Sequence, residues 1–255
     1  MPALQETARE AGAIALAHFR QGARTGARIW SKAGNSPVTE ADLAVDAFLK
    51  ERLAVALPEA AWLSEETVDD PVRLRHDLVW IVDPIDGTRA FLSGIPDWSV
   101  SIGLLAAGRP ILGLVYAPAL NRLYEATLGG GARCDGVRLA GPAADALAGA
   151  RVAGPKPLVD AIARSGGPVE HLPKVPSLAL RLARVAEGAI DVGLVSANAH
   201  DWDLAGADLI LHEAGARLTD FGGEPVRYNR PEPTHGELVA ASEALHPEAL
   251  AALRR

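Results

Sequence analysis

Trp80-Ile81-Val82-Asp83-Pro84-Ile85-Asp86-Gly87-Thr88-Arg89-Ala90-Phe91 joins an apolar run to two carboxylates three residues apart. Leu78 to Val82 has the Leu, Val, Trp and Ile content of a strand covered on both faces. Pro84 and its flanking aspartates read as a turn that stops the strand and leaves Asp83 and Asp86 at its end. A short helix over 87–91, capped by Asp86, is expected to follow. Hard divalent cations prefer such oxygen ligands. Two look-alikes fail on spacing. An EF-hand loop sets its carboxylates at alternate positions, and an aspartyl-nucleophile phosphatase carries Asp-x-Asp-x-Thr, one residue shorter than this stretch.

Further acidic segments lie far from this one. Asn35-Ser36-Pro37-Val38-Thr39-Glu40-Ala41-Asp42 and Leu63-Ser64-Glu65-Glu66-Thr67 stand upstream, and Asp201-Trp202-Asp203-Leu204-Ala205-Gly206-Ala207 with Glu213-Ala214-Gly215 downstream. Together with Asp-Pro-Ile-Asp-Gly-Thr, these segments in this order resemble the signatures of the inositol monophosphatase family of magnesium-dependent, lithium-sensitive phosphatases. Within that family, 35–39, 63–66 and the run Gly108 to Pro118 resemble the bacterial 3'(2'),5'-bisphosphate nucleotidases.

The resemblance implies a five-layered αβαβα sandwich and hydrolysis of a small phosphorylated metabolite. It implies two or three Mg²⁺ ions held by Glu65, Asp83, Asp86, Asp203 and the backbone carbonyl of Ile85. It also implies that Glu65 and Thr88 position and activate water, with Asp42 accepting a hydrogen bond from Thr88. Glu66 is expected outside the ligand set. Gly87 and Thr88 open the expected helix, whose unpaired amides suit phosphate oxygens. Arg89, His200 and Asp203 complete the expected substrate contacts with Ser196. Counting back from Asp203, Ser196 occupies the place where inositol monophosphatases resemble one another in carrying a glutamate that accepts a substrate hydroxyl. A serine there lacks that charge and favours a doubly phosphorylated ligand such as adenosine 3',5'-bisphosphate over inositol 1-phosphate, the other substrate considered. A noncatalytic phosphate or metal sensor is the alternative of a different class.

The 255 residues are 49% hydrophobic and 22% charged, the composition of an ordinary globular chain. A net charge of -7 argues against a nucleic-acid polymer as partner, because phosphate-backbone binding runs on clustered Lys and Arg. One cysteine, Cys134, excludes an internal disulfide and a thiolate metal cluster. No stretch approaches the roughly 18 apolar residues of a membrane span, and the amino-terminal region carries charges unlike a signal peptide. A cytoplasmic protein, and by family habit a homodimer, is expected.

Along the chain, Leu4, Ala8, Ala11, Ala15 and Phe19 recur near helical spacing. A second helix begins at Thr39 and Glu40 and ends before Pro58, with Leu43, Ala47 and Leu53 sharing a side. Strands around 99–104, 111–116 and 123–125 predict an antiparallel meander, and Gly129-Gly130-Gly131 a turn, not a nucleotide P-loop. An α+β half over 1–140 that carries the metal site gives way to an α/β half over 141–255 in the Pro, Ala and Gly-rich stretch from Ala140 to Ala150. There, helices are expected over 178–186 and 204–213 and from Pro247, with strands over 190–195, 216–219 and 238–241. Trp30, Trp62, Trp98 and Trp202 read as packing residues.

Overall fold

The computed structural model describes residues 1–31 and 37–254, so Asn35 and Ser36 of the upstream motif lie outside the described residues. Helix α1 (Pro2–Leu16) buries Ala8, Ala11 and Ala15 and leads to a small hairpin, β1 (Ile29–Ser31) and β2 (Pro37–Thr39). Helix α2 (Glu40–Ala56) starts directly from β2. Its amino end is closed by a reciprocal cap: the Thr39 hydroxyl accepts from the Ala41 and Asp42 amides while Asp42 accepts from the Thr39 amide. Such a cap contributes about 1 kcal/mol.

A seven-stranded sheet follows, built from β3 (Ala61–Ser64), β4 (Leu78–Asp86), β5 (Ser99–Ala106), β6 (Arg109–Ala117), β7 (Arg122–Thr127), β8 (Gly131–Cys134) and β9 (Val137–Arg138), neighbours in that order. β3 runs parallel to β4, and the rest is the expected antiparallel meander. The short helix α3 (Thr88–Ser93) lies between β4 and β5. The second sheet is five-stranded, in the order β11 (Glu170–His171), β10 (Arg151–Ala153), β12 (Val192–Val195), β16 (Leu238–Ser242), β14 (Ala216–Asp220). Helices α4 (Lys156–Gly166), α5 (Leu178–Glu187), α6 (Asp201–Glu213) and α7 (His246–Leu253) pack on it, and β13 (Ala199–His200) pairs with β15 (Thr234–His235) at its side.

Apolar residues sort into three cores that separate five layers. The first core joins α1 and α2 to one face of the seven-stranded sheet, with Leu49, Trp80, Val82, Phe91 and Trp98 in it. The middle core holds α5 and α6 between the two sheets. The third joins α4 and α7 to the far face of the five-stranded sheet through Val159, Val192, Val239 and Leu245. This is the αβαβα sandwich.

Helix α6 reaches the sheet through glycines. A Cβ on Gly113 would lie 2.1 Å from the Gly206 carbonyl oxygen, and one on Gly206 2.9 Å from that of Ile102. Backbone therefore lies against backbone at this crossing, which sets the height of α6 above β5 and β6.

Several expectations need correction. The buried stripe of α2 is Ala41, Asp42, Val45, Asp46, Leu49 and Leu53, whereas Leu43 is 45% exposed and Ala47 is exposed too. Two aspartates occupy core-facing positions, so the apolar residues alone point to the neighbouring edge. Helix α6 begins at Asp201, three residues before the expected Leu204, and β12 begins at Val192 rather than 190. Trp30 is 46% exposed on the β1–β2 hairpin and belongs to none of the cores among the described residues. The last correction concerns Asp83 and Asp86.

Candidate active site

Pro84 does not end the strand. β4 continues to Asp86, with Asp83 opposite Ser101 and Asp86 opposite Ser99 on β5, so three steps along one strand match two along the other. That is a bulge of one extra residue, a place where a proline without an N–H is tolerated. Its effect is legible in the packing. Val79 and Ile81 face the middle core while Trp80 and Val82 face the core under α1 and α2. Strict alternation would send Ile85 to the middle core with Asp83 and turn Asp86 away. Ile85 instead packs in the α1–α2 core. The extra residue thus returns Asp86 to the side of Asp83.

Asp203 completes the group from α6. Carboxylate oxygens of Asp83, Asp86 and Asp203 all lie within 4.8 Å of one another. Each is held from behind. The Ile85 amide donates to Asp83 at 3.0 Å, and the His200 amide donates to Asp203 at 2.7 Å as part of the cap of α6. Asp86 accepts from the Ser177 hydroxyl and the Ala179 amide, both at 2.6 Å. Ser177 is the amino-terminal cap of α5, so the start of that helix grips a carboxylate of the other sheet. Asp201, two residues before Asp203, is turned to other partners, the Asn229 amide at 2.8 Å and His235 Nε2 at 2.7 Å.

Crowding and burial leave their mark on proton affinity. Asp86 is pushed up to about 6, first by burial, against the opposing pull of its Ser177 and α5 hydrogen bonds. Burial and then the charges of Glu65, Asp86 and Asp203 hold Asp83 well above the ordinary carboxylate range. Asp203 is raised in the same direction by burial and then by Asp86. Half-buried Glu65, beyond the end of β3, raises Asp42, Asp83, Asp86 and Asp203 alike through its charge, which stands beside the triangle.

Asp42 and Thr88 approach from the α2 side. Thr88 Oγ1 lies 3.4 Å from Asp42 Oδ1 and 3.1 Å from the Ile85 carbonyl oxygen. Its single proton can serve one of them at a time. The other Asp42 oxygen is engaged by Thr39, and burial raises Asp42 to about 6. Gly87, not Asp86, caps α3, at φ 91°. That left-handed turn suits glycine, and a Cβ there would press on Ser177 at 3.2 Å and on the Asp97 carbonyl oxygen at 3.3 Å.

Beside Glu65 a cleft of about 390 Å³ opens between Thr67, His200, Trp202, Pro231 and Thr234. The His200 ring stacks on Trp202 at 4.5 Å and 5°. Arg89 and Ser196 are exposed, the latter immediately after β12. Three residues were missed in the sequence. Ser177 carried a visible signal, a serine before an apolar helix, but nothing local told that it reaches Asp86. Asp46 stands one helical turn from Asp42 and could have been found by that spacing. Ser64, at the end of β3, is bonded to Asp46.

The profile of the inositol monophosphatase family matches residues 2–255. The chain belongs to the inositol monophosphatase family. It is 34% identical over 212 residues to the 3'(2'),5'-bisphosphate nucleotidase CysQ of Escherichia coli strain K12, covering 78% of this chain and 82% of that protein. To the Nus factor SuhB of Salmonella typhimurium it is 32% identical over 201 residues, 75% of this chain and 74% of that protein. Among solved structures, the extragenic suppressor protein suhB of Bartonella henselae superposes with a TM-score of 0.85 at 26% identity, over 100% of this chain and 98% of the other. An IMPase of Thermotoga maritima does so with 0.83 at 25% identity, over 100% and 97%. This chain is accordingly a phosphatase of a metal-dependent family, and among the described residues no helix is long and apolar enough to cross a membrane. The all-oxygen donor set of Asp83, Asp86 and Asp203 fits a hard divalent cation, which would also relieve the repulsion that raises their proton affinity.

Proposed function

We propose that this protein is a Mg²⁺-dependent phosphomonoesterase that removes the 3'-phosphate of adenosine 3',5'-bisphosphate. The observation that carries the phosphatase reading is the triangle of Asp83, Asp86 and Asp203, closed by the β4 bulge and edged by Glu65. Glu65, the three aspartates and the Ile85 carbonyl would hold two or three ions. Bound there, magnesium would supply stabilisation of the entering and leaving oxygens and a water of lowered pKa.

The protein's own groups do the orienting. The Thr88 hydroxyl, directed by Asp42, holds the attacking water, and Glu65 takes its proton. The cap on Asp42 keeps that carboxylate from rotating away, since one of its oxygens stays committed to Thr39. Amides at the start of α3, at Gly87 and Thr88, receive phosphate oxygens. Asp203 and His200 border the leaving group. Cytoplasmic location and a homodimer belong to the same proposal, on the family's habit.

For the substrate, Ser196 is the deciding residue. A serine is short and uncharged, so a second phosphate meets no carboxylate there, and Arg89 offers it a cation. The likeness to CysQ supports the same choice. Inositol 1-phosphate is the second reading, supported by the likeness to the Thermotoga maritima IMPase. Release of inorganic phosphate from adenosine 3',5'-bisphosphate, inositol 1-phosphate, fructose 1,6-bisphosphate and histidinol phosphate tests these readings. The bisphosphate should have the highest kcat/KM, and Ser196→Glu should narrow its lead. A lead for inositol 1-phosphate that Ser196→Glu leaves unchanged would refute the substrate assignment, and binding without any phosphate release would refute the enzyme.

A further inference from the structure

Asp46 is buried, 7% exposed, on the face of α2 that also carries Asp42, yet it touches none of the clustered carboxylates by hydrogen bond among the described residues. It reaches the other wall of the site. One oxygen of Asp46 accepts from the Ser64 hydroxyl, and the other accepts from the Thr67 hydroxyl at 2.6 Å. Ser64 and Thr67 bracket Glu65 and Glu66, so a single carboxylate ties down both ends of the turn that presents Glu65.

The direction of each proton follows from the remaining partners. Trp62 Nε1 donates to Thr67 Oγ1 at 3.2 Å and the Glu66 amide donates to Ser64 Oγ at 3.4 Å. Each hydroxyl thus receives one bond and gives its proton to Asp46, which must accept on both oxygens. A carboxylate can do so, whereas an asparagine would offer one acceptor and turn a donor toward the other hydroxyl. The Glu65 amide donates to the Val82 carbonyl at 3.3 Å, which extends the β3–β4 ladder up to the clamped turn.

Resting on the role given to Glu65 above, we propose that Asp46 is a positioning residue that fixes Glu65 against the metal cluster through Ser64 and Thr67. Helix α2 then directs both water-handling groups, Thr88 through Asp42 and Glu65 through Asp46. Those two aspartates are one turn apart, roughly 6 Å along the axis, so the helix acts as a rigid gauge between them.

Asp46→Asn tests this in three measurements. In metal-free protein, hydrogen exchange over 61–68 should quicken while the strands β5 and β6 keep their protection. With saturating Mg²⁺ and the best substrate of the panel, kcat should fall roughly 10- to 100-fold at nearly constant KM, the scale of a misplaced catalytic group. In a Glu65→Gln background the same substitution should cost less than about twofold, because the residue being positioned is already disabled. Ser64→Ala and Thr67→Val each remove one arm of the clamp and serve if Asp46→Asn does not fold. Unchanged exchange over 61–68, or a loss of kcat that is equal in the Glu65→Gln background, would overturn the inference while leaving the phosphatase reading intact. A Glu65→Gln protein with wild-type turnover would overturn both the inference and the role given to Glu65.

Discussion

Acidification should weaken metal binding steeply, by an amount set by the crowding of the site. Asp86 sits at about 6 in the metal-free protein. A ligand carboxylate must lose its proton, so apparent affinity follows the ionised fraction. Nearly all of Asp86 is ionised at about pH 7.5 and about one-tenth at about pH 5, so this group alone lowers affinity roughly tenfold, ~1.4 kcal/mol. Asp83 and Asp203 are raised in the same direction and steepen the fall. The stability side has the opposite sign in the two forms. Folding raises Asp86 from 3.8 to about 6, so without metal the folded state is penalised above pH 6, by on the order of 3 kcal/mol. The penalty is relieved as pH falls through 6 toward 3.8. Metal removes the penalty at neutral pH, so the stabilisation that Mg²⁺ confers should shrink on acidification. Calorimetric titration with Mg²⁺ in buffers of different ionisation enthalpy reads both affinity and protons released, and thermal melts with and without Mg²⁺ read the increment. His246, held below its usual range by burial, is common to both melts and cancels in the increment. Affinity that changes less than about twofold between those pH values, with no proton released at pH 5, would refute the reasoning.

Other outcomes follow from the same geometry. Thr88→Ala should fold normally, keep its metal affinity and lose about 10²- to 10⁴-fold in kcat, and wild-type turnover in that variant would remove the hydroxyl from the chemistry. Asp86→Asn should weaken Mg²⁺ binding directly and, in metal-free protein, melt no lower at neutral pH than the wild type, since it deletes a repelling charge. Metal affinity within error of wild type in a titration would contradict its assignment. Gly206→Ala should lower both stability and metal affinity, because the added methyl must push α6 off the sheet and carry Asp203 with it; a crystal structure with α6 unmoved would disprove the link.

Much of this was legible in the chain. The meander announced itself by alternation and by the glycines between strands. The carboxylates Asp83, Asp86 and Asp203 stood in segments whose order and content point to the family, and the family brought the layers with it. What escaped was geometry that one-dimensional patterns cannot hold. Asp-Pro-Ile-Asp reads equally well as a turn or as a bulged strand, and only the partner residues Ser99 and Ser101 decide between them. The apolar pattern misplaces the α2 stripe because Asp42 and Asp46 replace apolar residues on the buried face, so the carboxylates proposed to serve the site erase the pattern that marks the helix face. The hold of Ser177 on Asp86 spans 91 residues and joins the seven-stranded sheet to helix α5, a contact no local rule reports.

The layered arrangement also orders how the molecule opens. Segments with the fewest buried contacts open first, at a small fraction of the global free energy, and doubly covered ones open last. Helices α1 and α7 belong to the outer layers and each rests against one sheet, so their amides should exchange early. Helices α5 and α6 are sandwiched between two sheets and should be among the slowest. Asp203 rides on α6, and the start of α5 grips Asp86. Thus α1 and α7 can fray and re-form many times while the carboxylate triangle stays closed, and opening that triangle requires the two sheets to part.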